Sequence, residues 1–547
     1  MTTRSLKLAC GLLLLGNTIF LYLLGVTLIA QACVFGHVAL LTLAGAFWLS
    51  RVRQAFPDPI AFCVASFLLG MIGAFVLCFV FFHEPLCALF GFETLIGPCL
   101  LVTLILIPFA LIPLARSDRW AFERPLAWAP ICLCLGLALL LVSGTFYGFQ
   151  NSKGRAIHAA RVSGQRIYAN WGTPTDKRVH LVSIPMSVIF EKLPSESLSH
   201  IGAQITLLHV AVNQLVRDDD QLVKISKALI GFVAFGLIYA SYAAAVSRFG
   251  LSEPWGCLTA VATVFLAPVT NPLRGPEPLG YMTAIASSRL LYHNTNQLFG
   301  VPMGLIAAYL VSRSWQRGFG RCFPAGCAFA AGSFFFKPSV YAVLAPAICL
   351  VLPFVFRRLS ISEVAAGVGI LVVPVVFWAV YPVVFGIEVL DATPVVRPFA
   401  LFLHYATQAS PGSAAPHPLG LAFGVLASSF LFLLPAVLER CSRIPAAKIG
   451  EWLGAASRLR PDPVTIFYTL ILVVGVASSV LLLERDPVRM WHGNYVWSAG
   501  AGILVALPIF FRFLAGTPRG VWLNLSFFLL FLHFWSGISD FVAFVTS

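Results

Sequence analysis

PIAFCVASFLLGMIGAFVLCFVFF, residues Pro59 to Phe82, carries no charged side chain from end to end. A helix needs about 20 predominantly apolar residues to cross the hydrocarbon of a bilayer, so this stretch reads as a membrane span. Arg51 and Arg53 stand before it and the polar turn His83-Glu84-Pro85 follows it. Comparable runs recur along the whole chain: Leu8 to Leu28, Val34 to Ser50, Thr94 to Leu114, Leu126 to Phe146, Ala228 to Ser247, Pro254 to Thr270, Leu298 to Leu310, Cys322 to Phe336, Ser339 to Phe356, Val364 to Phe385, Pro418 to Val437, Pro463 to Leu483, Tyr495 to Phe511 and Val521 to Ser536. The expected fold is an all-α, polytopic integral membrane protein with about 13–15 transmembrane helices. The two shortest runs, Leu298 to Leu310 and Cys322 to Phe336, are half-helices or begin earlier than the hydropathy alone draws them.

Composition agrees. Of 547 residues, 59% are hydrophobic and 11% charged, whereas soluble domains carry roughly 25% charged residues. The mean hydropathy is +0.89. Lys+Arg number 36 against Asp+Glu 22, a formal net charge of +14. In a soluble protein that excess would raise nucleic-acid binding; here the basic residues report topology instead, and no nucleic-acid partner is expected. With the N-terminus in the cytoplasm, Arg51 and Arg53, Arg116, Arg119 and Arg124, Arg248, Arg313, Arg317 and Arg321, Arg357 and Arg358, Arg440 and Arg443, and Arg512 and Arg519 all fall in alternate, inner loops. That bias predicts a multi-pass protein of the cell membrane with its C-terminus outside. The parity turns on a Cys322 to Phe356 hairpin.

Three regions follow: N-terminal transmembrane helices over 1–146, a long extracytoplasmic loop over 147–227, and a C-terminal transmembrane bundle with polar outer loops over 228–547. In the long loop, Leu198, Ile201, Ile205, Leu208, Val212 and Leu215 recur every three or four residues, the spacing of an amphipathic helix lying along the interface. Asp218-Asp219-Asp220 reads as a solvated charge run at a helix end. The 13 cysteines sit mostly in apolar runs; Cys132 and Cys134 lack partners at metal-ligand spacing and are structural. No cofactor is expected, with a divalent metal left open. Walker, dinucleotide, HExxH and GxSxG motifs are absent, as is any clear internal repeat.

Polar chemistry concentrates on the outer side. Arg289, His293, Asn294 and Gln297 precede one span, with hydrogen-bonding groups for sugar hydroxyls or phosphate and one permanent charge. Lys337 interrupts Phe334-Phe335-Phe336-Lys337-Pro338-Ser339, where an isolated ammonium in an apolar setting marks a functional site by default. A snorkelling lysine at an ordinary helix end is the plainer alternative. Pro338 removes a backbone donor and bends the chain there. A third cluster, Glu484-Arg485-Asp486-Pro487-Val488-Arg489-Met490-Trp491-His492-Gly493-Asn494-Tyr495, packs carboxylates, guanidiniums, an imidazole and aromatics into a short outer turn. Within it His492, Glu484 and Asp486 are the expected acid-base groups, and Arg489 and Asn494 join Lys337, Arg289, His293 and Asn294 as expected substrate ligands. Glu84, Asp391, His404 and His417 are further acid-base candidates on the same side.

Tyr292-His293-Asn294-Thr295-Asn296, Phe336-Lys337-Pro338-Ser339 and His492-Gly493-Asn494-Tyr495 resemble motifs of bacterial multi-pass membrane proteins, some of which look like envelope polysaccharide glycosyltransferases or polymerases. The likeness covers mainly the C-terminal half. It implies transfer of a sugar or glycan from a polyprenyl-phosphate-linked donor at the outer face, with membrane lipid and the lipid-linked glycan as partners. In that wider class an acidic residue sits in the first outer loop; Gln31-Ala32-Cys33, the first outer turn expected here, has none. A transporter or flippase for an amphipathic anion, or a non-catalytic component of a membrane assembly, are the other functions the same residues fit.

Overall fold

The computed structural model describes residues 28–81, 89–91, 96–116, 122, 127–150, 219–269, 295–385, 394–398, 400, 430–442, 462–484 and 496–546. They form α1 (Leu28–Leu49), α2 (Pro59–Phe81), α3 (Ile96–Arg116), α4 (Trp128–Gln150), α5 (Asp219–Ala243), α6 (Glu253–Phe265) and α7 (Thr295–Ser314). There follow α8 (Cys322–Phe336), α9 (Pro338–Val355), α10 (Ile361–Phe385), α11 (Leu434–Ser442), α12 (Pro463–Leu481), α13 (Val496–Ala515) and α14 (Val521–Thr546). Two short strands, β1 (Pro394–Val396) and β2 (Leu482–Glu484), pair antiparallel. The protein is an all-α multi-pass membrane protein: eight of the described helices are long and apolar enough to span a bilayer, and Gly97–Pro113, Trp128–Val142 and Cys322–Phe336 are shorter apolar helices.

Capping residues start several of these helices where the sequence leaves the membrane. Asp58 precedes Pro59, and its Oδ1 accepts the Ala61 N–H at 2.9 Å, an N-cap with proline in the first helical position. Asp462 does the same before Pro463, accepting from Val464 N–H at 3.3 Å. Ser360 and Glu363 form a reciprocal capping box at the head of α10, with bonds of 2.8 and 3.2 Å.

The arginines gather at this same end of the bundle. Arg248 donates from Nε and Nη2 to the hydroxyl and carbonyl oxygens of Ser312, both at 2.9 Å, which ties the end of α5 to the end of α7. Arg512 pairs with Asp462 at 3.2 Å, and Arg440 donates to the Phe513 carbonyl at 3.0 Å. The Tyr309 hydroxyl donates to the carbonyl of Ala55. The Cys322 to Phe356 hairpin is present as α8 and α9 and returns Arg357 and Arg358 to this end.

Burial separates a central set from a lipid-facing set. In the apolar stretch Ala228–Arg248, which is most of α5 and the turn that follows it, about 83% of residues are buried, against about 17% in Ile361–Val380 of α10. The outward residues of α10 are Val372, Val373, Val375, Val376 and Val380, and those of α14 include Phe528, Phe531, Trp535 and Val542. In water such a surface would drive aggregation; against lipid tails it is the expected covering. Because lipid is as apolar as leucine, association of helices relies on close packing. At Gly70 of α2 a Cβ would run into the backbone of Leu41 in α1.

The spans differ from the sequence expectation in informative ways. Gln31, Ala32 and Cys33, expected as the first outer turn, lie inside α1, and Gln31 is fully buried there. One polar side chain within a long apolar run does not end a helix when neighbouring helices enclose it. The span expected from Leu298 begins at Thr295 and runs to Ser314, so it is no half-helix. α6 is short, ending at Phe265, and Leu266 to Val269 continue as non-helical chain. Non-helical backbone is tolerated in a membrane only where protein or water satisfies it. Here Nδ1 of His533 and Oγ of Ser536 in α14 meet the carbonyls of Ala267 and Pro268. The proposed interfacial helix of the 147–227 loop lies outside the described residues, which rejoin the chain at Asp219, the first residue of α5.

Replacing Gly70 by leucine should therefore lower the melting temperature of the purified protein, by the ~1–3 kcal/mol typical of overpacking or more. Leucine at Gly36 of α1, whose Cβ would meet nothing within 4 Å, should leave it unchanged. Equal melting temperatures for the two variants would contradict the described α1–α2 contact.

Candidate functional site

Lys337 occupies a one-residue break between two described helices. α8 ends at Phe336 and α9 begins at Pro338, with Lys337 between them in an extended conformation, φ −155° and ψ 96°. Its N–H donates to the Ser333 carbonyl at 2.7 Å and its own carbonyl accepts from Val340 N–H at 3.0 Å, so the backbone stays satisfied through the break. The residue is only 2% exposed. This removes the snorkelling alternative, because a snorkelling lysine carries its ammonium into water. The Nζ lies 5.8 Å from the ring centroid of Trp497, itself buried at the head of α13, within the range of a cation–π attraction.

Three helices run parallel beside this break with their N-termini at its level. Gly300 of α7 meets Lys337 and Val340, and Gly304, one turn further on, meets Val340 and Leu344 of α9 and Val505 of α13. A Cβ on Gly300 would lie 2.6 Å from the Cβ of Lys337, so a glycine is needed for α7 to pass the break. Gln297 in the first turn of α7, Ser339 in that of α9 and Ser498 in that of α13 are all buried. Both polar atoms of Gln297 and the hydroxyls of Ser339 and Ser498 have no hydrogen-bond partner. A buried polar group left unpaired costs about 1–3 kcal/mol, and here three such residues lie at the starts of neighbouring helices. Helix N-termini add unsatisfied N–H groups and partial positive charge. An ammonium, an amide and two hydroxyls around such termini form an environment for an anion.

Aromatic rings wall the same place: Phe336 stacks on Phe299 at 6.0 Å, and Phe75 lies 4.8 Å from Phe335. A low-dielectric wall strengthens charge interactions inside it.

No family model matches the chain, and no curated protein or solved structure matches it either. What the site does has to be read from its own groups.

Of the polar residues singled out in the sequence as site candidates, Lys337 and Gln297 are described with their side chains, both buried. Glu484 is described in its backbone, as the end of β2 opposite Pro394. It ends a two-stranded ladder in which Leu482 and Leu483 leave α12 extended and find partners in Val396 and Val395, and the turn expected to follow it lies outside the described residues. Arg289, His293, Asn294, Asp486, Arg489, His492 and Asn494 lie outside the described residues, as do Glu84, Asp391, His404 and His417. Among the described residues no group of His, Cys, Asp and Glu is arranged to hold a metal ion.

Sequence reasoning missed a second polar place, at the arginine-rich end. A cavity of about 380 Å³ is lined by Asp58, Trp128, Tyr239, Tyr242, Ser247 and Glu253, among others. The Tyr239 hydroxyl donates to Asp58 Oδ1 at 3.0 Å, so the carboxylate that caps α2 also clasps α5. Pro57-Asp58-Pro59 was the available signal, since aspartate before proline at the head of an apolar run is an N-cap pattern.

The tight passage of α7 past Lys337 can be measured. Gly300→Ala should cost about 1–3 kcal/mol of stability through overpacking, and Lys337→Gly in the same chain should recover part of it. Additive losses in that double-mutant cycle would mean that the two residues do not touch.

Proposed function

We propose that the protein transfers a sugar or glycan from a polyprenyl-phosphate-linked donor, at the outer face of the bacterial inner membrane, in envelope polysaccharide or glycolipid synthesis. The observation that carries this reading is the burial of Lys337 at a helix break ringed by aromatic side chains and helix N-termini. A polyprenyl-linked donor offers what such a place selects, a charged phosphate held at the membrane boundary by an apolar tail. In this reading the arginine-rich end faces the cytoplasm, following the preference of basic residues for that side, and the Lys337 end faces outward.

The chemistry then divides between two sets of groups. The bond between the sugar anomeric carbon and the phosphate oxygen breaks, and its electron pair stays on the departing phosphate. Lys337 lies where that growing negative charge is stabilised, an electrostatic contribution made larger by the dry surroundings. The acceptor hydroxyl forms the new bond to the anomeric carbon and gives its proton to a base, for which Glu484, Asp486 and His492 of the outer segment have the right chemistry. The two-stranded ladder supports this division, because it anchors the backbone of Glu484 beside the C-terminal end of α12.

Two measurements test the proposal. With purified protein in lipid and a polyprenyl-diphosphate-linked sugar, glycan transfer should be detected, and Lys337→Met should reduce its rate by roughly 10²–10³-fold without loss of membrane insertion. Accumulation of unaltered donor in sealed vesicles, with no covalent product, would replace transfer by carriage. Reporter fusions after Arg358 and Arg460 should read cytoplasmic and a fusion at the C-terminus should read external; the reverse pattern would turn the site to the cytoplasmic face and end the proposal as stated.

A further inference from the structure

The geometry points to a diphosphate-binding cradle formed by the N-termini of α7, α9 and α13, with Gln297, Ser339 and Ser498 as direct ligands beside Lys337. The inference rests on the proposed function for its choice of a lipid-linked substrate, but binding itself requires no transfer. None of these three residues is charged, and each sits in the first turn of a different helix. What unites them is burial with polar atoms that no protein group satisfies. Elsewhere in the membrane interior the hydroxyls of Ser241, Thr259, Thr263, Ser312 and Ser333 are hydrogen-bonded. The hydroxyls of Ser66 and Ser526 are also buried without a partner, so what marks the three residues here is their place at the starts of three helices beside Lys337.

The number and type of donors select the ligand. Gln297 supplies an amide NH2, Ser339 and Ser498 supply hydroxyls, and Lys337 supplies an ammonium. In α9, Pro338 has no N–H and that of Val340 is used within the turn, which leaves the Ser339 N–H for a ligand. The first-turn N–H groups of α13 and α7 point to the same level. A carboxylate offers about four acceptor positions on two oxygens, close to saturation by these donors, whereas two linked phosphoryl groups offer more oxygens spread over a wider span, matching donors drawn from three helices. The partial positive charges of three helix ends and the ammonium match a multiply charged anion. The face of α7 that carries Gln297 also carries Gly300 and Gly304, three and seven residues on, and these meet α9 and α13. The face of α13 that carries Ser498 carries Val505, which meets Gly304.

The test uses the full chain in nanodiscs of phosphatidylcholine, titrated with inorganic pyrophosphate and, separately, with farnesyl diphosphate. Both should bind and raise the melting temperature. A larger effect of farnesyl diphosphate supports a lipid-linked diphosphate, an equal effect supports the same cradle serving a free one. Ser498→Ala, Ser339→Ala and Gln297→Leu should each weaken pyrophosphate binding about tenfold or more, as expected for loss of a hydrogen bond to a charged group. In the absence of ligand the same variants should melt at or above the temperature of the unaltered protein, since each removes an unsatisfied buried group. A residue with a purely structural role would do the opposite and lower it. Failure of pyrophosphate and farnesyl diphosphate to bind, or binding by all three variants as tight as by the unaltered protein, overturns the cradle. Retained diphosphate binding in a protein that shows no glycan transfer supports the cradle while removing the transferase reading.

Discussion

Hydrocarbon offers no hydrogen bonds, and the rest of this structure depends on that constraint. Every N–H and C=O crossing the membrane has to be satisfied by the chain itself. The apolar runs therefore become helices despite their phenylalanines, valines and prolines, which would weaken an isolated helix in water. The interesting places are the interruptions. At Lys337 the backbone is closed by Ser333 and Val340; at Leu266 to Val269 it is closed by side chains of α14; after Ala243 it loosens into a π-helical turn, Ala244–Arg248, before the chain reverses.

The Lys337 interruption differs from the others in what surrounds it. The unwound chain after α6 is held by side chains that complete its hydrogen bonding. Around Lys337 the balance runs the other way: the backbone is satisfied and the neighbouring side chains are not. At the first, two side chains of α14 serve the backbone while His533 Nε2 stays unpaired; at the second, the unpaired side chains are those of Gln297, Ser339 and Ser498. The prolines divide similarly. Pro302 and Pro508 sit within α7 and α13 without ending them, whereas Pro338, at the first position of α9, starts a helix.

Much of the fold was legible because hydropathy and arginine placement act over whole spans. The break at Phe336-Lys337-Pro338 was also legible, since a charge and a missing donor coincide in adjacent residues. The site around it was legible only in part. Gln297 was legible as a hydrogen-bonding group and Ser339 as part of the Lys337 motif, but Ser498 was not, and the association of the three arises only when distant helices run parallel. Gln31 misled for the complementary reason: a polar residue was read as a turn when packing, not local sequence, decides whether it can be enclosed. The ladder that ends at Glu484 went unread because strand pairing with Pro394 joins segments far apart along the chain. Asp58 escaped notice because its capping role is local, while its contact with Tyr239 is not.

The two polar clasps on α5 differ in when they become available during synthesis. Asp58, the partner of Tyr239, is made long before α5. Ser312, the partner of Arg248, is made after it. A nascent α5 can therefore dock at once against α2 through Tyr239, while Arg248 waits at the membrane surface for α7 to arrive. Since α5 ends as one of the most enclosed helices, its early half-attachment gives later helices a fixed wall to close upon. The order of translation is in this way written into the direction of its hydrogen bonds.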